Sequence, residues 1–305
     1  MDILLFGANG QVGWELQRAL APLGRLTALG HAGGDLEAPL RDTILRARPQ
    51  LIVNAAAYTA VDKAESEPQR ALRINAGAVG EMALAAAELG AALVHYSTDY
   101  VFDGSKATAY AVDDRPAPLS AYGRSKLAGE EAIRAVAGCR HLIFRTSWVY
   151  AVRGRNFAHT ILQRARTQDR LQVVADTTGV PTSAELIADV TALAVHRALR
   201  AGAGAAPPSA GGDAGSLWGT YHLVPAGATT WHGYASFLIE TARRRGLPIR
   251  VVAEHIAPVP ASAFPAPAAR PLNSLLDNRL LESRFGLELP DWRVHLCRFV
   301  EEIAG

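Results

Sequence analysis

Along the first half of the chain, short unbroken apolar runs alternate with longer stretches in which apolar residues recur every three or four positions. The runs cover residues 3–6, 26–29, 51–54, 93–96 and 141–145. Each has the length of a strand buried on both faces of a parallel sheet. The intervening stretches, 14–23 and 68–89 among them, carry the helical period. This repetition predicts an α/β fold, a Rossmann-type doubly wound parallel sheet with its site at the carboxyl edge. Beyond residue 150 the rhythm loosens. Helices are expected over 156–167, 182–199 and 231–245, short strands over 171–174 and 221–224, and a last helix from about 291. Trp292, Leu296, Phe299 and Val300 form one stripe of that last helix, which predicts packing. The division expected is an NAD(P)-binding Rossmann domain over 1–150 and a smaller C-terminal α/β region over 151–305. The second region would be mainly substrate-binding, with some segments returning to the sheet. Residues 201–216, rich in Ala, Gly, Pro and Ser, are expected as a flexible surface loop, and 258–271 as an irregular wall or lid.

Composition narrows the classes of partner. A net charge of +2 over 305 residues, with both signs interspersed, leaves no basic stripe for nucleic acid. The cluster Arg243, Arg244 and Arg245 sits at a predicted helix end, where cations offset the helix dipole. Cys139 and Cys297 are too few and too far apart for a disulfide framework, and no His/Cys spacing matches a zinc site. No apolar run approaches the ~20 residues needed to span a bilayer. The chain enters its first strand at once, with no basic region and no cleavage site, so no signal peptide is expected. A cytoplasmic protein without a membrane partner is expected.

The candidate chemistry lies at the strand ends. Gly7-Ala8-Asn9-Gly10-Gln11-Val12-Gly13 is a G-x-x-G-x-x-G turn between strand and helix. Such a turn lets backbone approach a pyrophosphate, whose charge then meets the helix N-terminus. After the second strand, dinucleotide folds commonly place an acidic residue for the ribose diol. Here none occurs until Asp35, beside Leu36, and both are candidate cofactor contacts. Without a nearer carboxylate a 2′-phosphate near His31 or Arg41 is admissible, so NADPH and NADH both remain open. Ala57, Tyr58 and Thr59 follow the third strand; they suit a cofactor lying against the sheet edge, or tight packing. Tyr96, Ser97, Thr98 and Asp99 end the fourth, where hydroxyls can bond a carbonyl or a phenol, or simply form a turn. Tyr122 and Lys126 are four residues apart on one helix face. An ammonium beside the phenol lowers a pKa of about 10 toward use as a general acid or base. Arg270 is a candidate phosphate contact or a surface arginine.

Together the glycine turn, Ser97-Thr98-Asp99 and Tyr122-x-x-x-Lys126 resemble the extended short-chain dehydrogenase/reductase superfamily. The longer runs 4–16, 54–65, 95–102 and 144–150, with Arg270-Pro271-x-Asn273-Ser274 near the end, are similar to its dTDP-4-dehydrorhamnose reductase family over nearly the whole chain. The resemblance implies reduction of the C4 ketone of dTDP-4-dehydro-L-rhamnose to dTDP-L-rhamnose, with NADPH or NADH as hydride donor. It makes Tyr122 the proton donor, Lys126 its partner and ribose contact, and Thr98 an aid to the phenol. It places Gly7, Gly10, Gln11, Val12, Gly13, Ala57, Tyr58, Thr59 and Tyr96 on the cofactor. Thr98, Asp99, Trp148, Arg270 and Asn273 fall on the nucleotide-sugar substrate. It associates Glu15 and Glu185 with Mg2+ at the interface of a homodimer; by themselves they are ordinary helix-surface glutamates. Three features depart from the pattern: Gly30 stands where an acidic residue is frequent, Leu275 where an arginine is common, and the stretch 201–216 is long and of low complexity, with no role expected in catalysis. Another nucleotide-sugar reductase or epimerase of the superfamily, and a non-catalytic dinucleotide-binding subunit, are the alternatives.

Overall fold

The structure, a computed structural model, describes residues 1–201 and 216–305. The loop expected at 201–216 therefore lies almost wholly outside the described residues. In chain order the first half reads β1 (Asp2–Phe6), α1 (Gln11–Leu20), β2 (Arg25–Leu29), α2 (Arg41–Ala47), β3 (Leu51–Asn54) and α3 (Val61–Ala64). It continues with α4 (Pro68–Leu72), α5 (Ala78–Leu89), β4 (Ala92–Thr98), α6 (Ala121–Arg134) and β5 (Arg140–Thr146). The second half has β6 (Val149–Tyr150), α7 (Phe157–Thr167), β7 (Leu171–Val174), β8 (Thr178–Gly179), β9 (Thr182–Ser183) and α8 (Ala184–Ala201). There follow β10 (Gly219–His222), β11 (Thr229–Thr230), α9 (Trp231–Arg244), β12 (Ile256–Val259), α10 (Arg279–Phe285) and α11 (Trp292–Ala304).

Six strands form one parallel sheet in the order β10-β5-β4-β3-β1-β2. The order reverses between β1 and β3, so a crevice opens at their carboxyl ends. Strand residues alternate between the two faces. Ile3, Leu5, Val53 and Val94 pack toward α1 and α8 through Leu16, Ile187 and Ala194. Leu4, Phe6, Ile52 and Leu93 pack on the opposite face toward α2 and α5 through Ile44, Met82 and Ala86. A separate core unites α7, α9 and α11, with Tyr150, Ile161, Tyr234, Leu238, Trp292 and Leu296 buried together. β10 pairs with β5, so part of the second half of the chain is built into the main sheet.

The stretch expected as one helix over 68–89 is broken. Between α4 and α5, residues Arg73–Gly77 form a π turn. Such a turn inserts one residue into a helix and is a common device at functional sites. It rotates Asn75 inward, where the side chain is buried. The segment expected as irregular over 258–271 is partly ordered, because β12 pairs in parallel with β7.

Candidate active site

A cleft of about 970 Å³ runs along the carboxyl edge of the sheet. Its floor is the turn after β1. Gly7 has φ +82°, and a Cβ there would stand 2.5 Å from Ala56 N, so only glycine lets this loop lie against the end of β3. Gly7 O accepts from Gly10 N at 2.9 Å, which closes the turn in front of α1. Gly13 does not line the cleft; it lets α1 press on Gly7, whose carbonyl oxygen would be 2.0 Å from a Cβ. The open turn fits the diphosphate of a dinucleotide, since backbone and a helix N-terminus meet it without side-chain bulk. Gln11 and Val12, Asp35 and Leu36, and Ala57, Tyr58 and Thr59 line the same cleft. Of the two basic residues considered for a 2′-phosphate, His31 lines the cleft, whereas Arg41 is turned away to Glu88 at 2.6 Å. Arg70 lines it too, but is engaged by both oxygens of Glu37.

Tyr58 is held from behind. Asn75 Oδ1 accepts from Tyr58 N at 2.8 Å, while Asn75 Nδ2 donates to Tyr58 O at 3.0 Å and to Ser125 Oγ at 2.9 Å. One buried amide thus ties the loop after β3 to the π turn and to α6. That helix begins at Ser120, whose hydroxyl accepts from Gly123 N. Tyr122, Lys126 and Glu130 follow one another at four-residue spacing along its inner face.

Tyr122 and Lys126 both line the cleft but are not joined by a hydrogen bond in this structure. Desolvation pushes the pKa of the phenol up to about 12, partly offset by the nearby Thr98 hydroxyl. Lys126 Nζ donates to Tyr96 O at 2.6 Å and meets His95 Nε2 at 3.1 Å. Burial pushes the lysine down to about 8, opposed by Glu130. The sequence argument that Lys126 depresses the phenol therefore does not describe this structure, where Thr98 exerts the lowering influence. Glu130 is itself held below the usual carboxylate range against its burial, by Arg145 at 2.7 and 2.9 Å and by Ser97.

Thr98 Oγ1 donates to Asp99 Oδ1 at 3.0 Å. Burial pushes Asp99 up to about 6, with the hydroxyls of Ser274 and Thr98 pulling the other way. The other oxygen, Oδ2, is buried without a partner in good hydrogen-bond geometry. Across the cleft, Trp148 adopts φ +46°, a strained value for a bulky side chain. It is stacked on Trp231 with centroids 3.6 Å apart, and both line the cleft. The Tyr96 backbone also reaches the cleft; its hydroxyl turns the other way, to Thr191 Oγ1.

Arg270 and Asn273 are not among the lining residues. Arg270 is paired with Asp62 at 2.7 Å, and Asn273 Nδ2 donates to the carbonyls of Lys106 and Thr108. Glu15 and Glu185 sit apart, in a second cavity of about 300 Å³ with His295, Arg298 and Glu302. Arg298 grips both oxygens of Glu185 at 2.7 and 3.1 Å, and Arg18 faces Glu15 at 3.6 Å. Among the described residues no group of three or more His, Cys, Asp or Glu could hold a metal ion. Two carboxylates already facing guanidiniums do not fit magnesium on one chain. Cys139 and Cys297 are free. No helix among the described residues is long and apolar enough to cross a membrane.

His95, Asn54, Asn75, Glu130 and Trp231 were not singled out from the sequence. A signal existed for Glu130, which continues the Tyr122/Lys126 spacing, and for Asn75, a polar residue within a helical stretch. None existed for Trp231, since only the fold brings it to Trp148.

The family model for the RmlD substrate binding domain matches residues 1–304. A dTDP-4-dehydrorhamnose reductase of Shigella flexneri is 49% identical over 309 residues, covering 99% of this chain and 98% of its own. The enzyme of that name from Escherichia coli K12 is 48% identical with the same coverage. Among solved structures, a dTDP-4-dehydrorhamnose reductase of Clostridium acetobutylicum superposes with a TM-score of 0.87 at 31% identity, covering 100% of both chains. That of Bacillus anthracis, solved in complex with NADP, gives 0.83 at 31% identity and 99% of both chains. The chain belongs to the RmlD family, the dTDP-4-dehydrorhamnose reductases.

Proposed function

We propose that this protein reduces the C4 ketone of dTDP-4-dehydro-L-rhamnose to dTDP-L-rhamnose, using a reduced nicotinamide dinucleotide. The observation that carries the reading is the meeting, in one cleft, of the glycine turn after β1 with Tyr122, Thr98 and Lys126. When bound, the cofactor supplies the hydride. The Gly7–Gly10 turn receives its diphosphate, and Ala57, Tyr58 and Thr59 form the wall beside it. Tyr122 gives its proton to the C4 oxygen as that oxygen becomes an alkoxide. At neutral pH its raised pKa keeps the phenol protonated, which is the state a reduction needs. Thr98 orients the phenol and shares the carbonyl oxygen. Lys126, brought over to the nicotinamide ribose, adds the positive charge that eases release of the phenolic proton. Asp99 and the Trp148/Trp231 stack take the sugar, and residues 151–305 supply mainly this side of the cleft.

Two details go further. The absence of a carboxylate at Gly30, with His31 at the cleft, favours NADPH, while NADH remains usable. Arg270 and Asn273 join the substrate site only if Arg270 leaves Asp62. No magnesium and no second subunit enter the proposed chemistry. The test is loss of reduced-nicotinamide absorbance with purified protein and dTDP-4-dehydro-L-rhamnose, run with NADPH and NADH in turn. Oxidation dependent on the sugar nucleotide supports the reading. Its absence with both cofactors refutes the substrate, and tightly retained nicotinamide would then indicate an epimerase.

A further inference from the structure

Behind Lys126 lies a buried chain of side chains that the proposed chemistry does not use. Asn54, on β3, stands opposite His95 on β4 in the sheet register. Asn54 Oδ1 accepts from the backbone N–H of Ala56 at 3.1 Å, and Nδ2 lies 3.2 Å from His95 Nδ1. A backbone N–H can only donate, so it fixes which end of the amide faces Ala56. The other end is therefore an NH₂, and His95 Nδ1 must accept from it. In a neutral imidazole the proton then resides on Nε2, 3.1 Å from Lys126 Nζ. An ammonium has only donors and cannot accept that proton. A neutral amine can, through its lone pair, while still donating to Tyr96 O.

We infer that His95 is a positioning residue whose Nε2–H favours the neutral amine of Lys126 in the cofactor-free protein, so that at alkaline pH cofactor binding draws a proton from solvent onto Lys126. The inference rests on the cofactor reading given above. A dinucleotide brings anionic phosphate and ribose hydroxyls, both of which favour an ammonium donor over an amine. The surroundings of Lys126 agree. Lys126 is buried, with 2% of its surface exposed. Glu130, one turn on, favours the ammonium, an influence shared out by its pairing with Arg145 and Arg134, and Tyr122, one turn back, is a protonated phenol. Burial already places the lysine near 8, and a donor aimed at its nitrogen works in the same direction. His95 stays neutral, its pKa driven down by burial and by Lys126.

The experiment is calorimetric titration of the intact protein with NADPH at pH 8.5, in buffers of different ionisation enthalpy. The expected result is uptake of about three-quarters of a proton per chain, since about a quarter of the free protein already carries it at that pH, with Kd weakening about tenfold per pH unit above 8 and flat below it. In His95→Gln the longer amide can turn an oxygen to Lys126 at the place of Nε2, and uptake should fall to a small fraction of that value. Binding without proton uptake in the wild-type protein, or equal uptake in His95→Gln, overturns the inference. No NADPH binding at all would instead refute the cofactor reading. Because His95 is buried, a wild-type measurement accompanies the variant. Nitrogen chemical shifts of the His95 ring should show the proton on Nε2, and a proton on Nδ1 overturns the inference whether or not the variant folds.

Discussion

At the scale of single residues, the cleft is set by which groups its burial leaves uncompensated. Asp99 is the clearest case, with one oxygen engaged by Thr98 and the other without a well-aligned partner. Its carboxyl titrates near 3.8 when unfolded and near 6 when folded. The folded chain keeps this proton in a range where the unfolded chain has lost it. Stability therefore falls as pH rises from about 4 through about 6. At pH 7 the ionised group costs the fold about 3 kcal/mol, at 1.36 kcal/mol per pKa unit. Asp99→Asn is expected to be more stable than wild type at pH 7, and the gap should close below pH 5. Urea unfolding at the two pH values measures it; an Asn variant less stable at pH 7 would show that the carboxylate is satisfied. Tolerating such a cost at the mouth of a cleft is the pattern of a residue kept for a ligand.

At the scale of elements, three pieces of backbone place the chemistry: the turn after β1, the π turn between α4 and α5, and the first turn of α6. Asn75 joins the last two to the cofactor loop. Asn75→Ala would leave Tyr58 N and O without partners in a buried place, at roughly 1–3 kcal/mol for each group left unmet. It should lower stability and weaken NADPH binding together. Thermal unfolding and a titration check this, and a loss of stability with unchanged affinity would mean the loop does not depend on the amide. The glycine turn, Tyr122 and Lys126 were legible in the sequence because local spacing determines them: a strand, three glycines, one helical face. The π turn was not, because a single inserted residue barely disturbs the apolar period of the stretch. β6, β8, β9 and β11 have two residues each and carry no period at all. Nor could spacing show that Lys126 leaves Tyr122 for His95, since a strand partner 31 positions back sets that contact. Arg270 illustrates the same limit: sequence could not foresee Asp62, 208 positions away, as its partner.

At the scale of the molecule, the sheet reversal between β1 and β3 creates one crevice, and the second half of the chain closes over it. β10 extends the sheet, Trp231 reaches Trp148, and Ser274 reaches Asp99. A dinucleotide in that crevice would bind the folded chain alone. A hundredfold excess over Kd then stabilises the protein by about 2.7 kcal/mol, a rise in Tm of roughly 4 °C for a chain of this size. Thermal scans with NADPH and NADH should both show a rise, larger for NADPH; no shift with either would contradict the placement of the cofactor. What the molecule then does with the hydride turns on Tyr122. The most direct measurement is the rate of NADPH oxidation with dTDP-4-dehydro-L-rhamnose for wild type and Tyr122→Phe, with NADPH affinity measured beside it. With Tyr122 as the proton donor, the variant is expected to lose at least about 100-fold in turnover with little change in affinity. Turnover within a few-fold of wild type would remove Tyr122 as the proton donor and contradict the account.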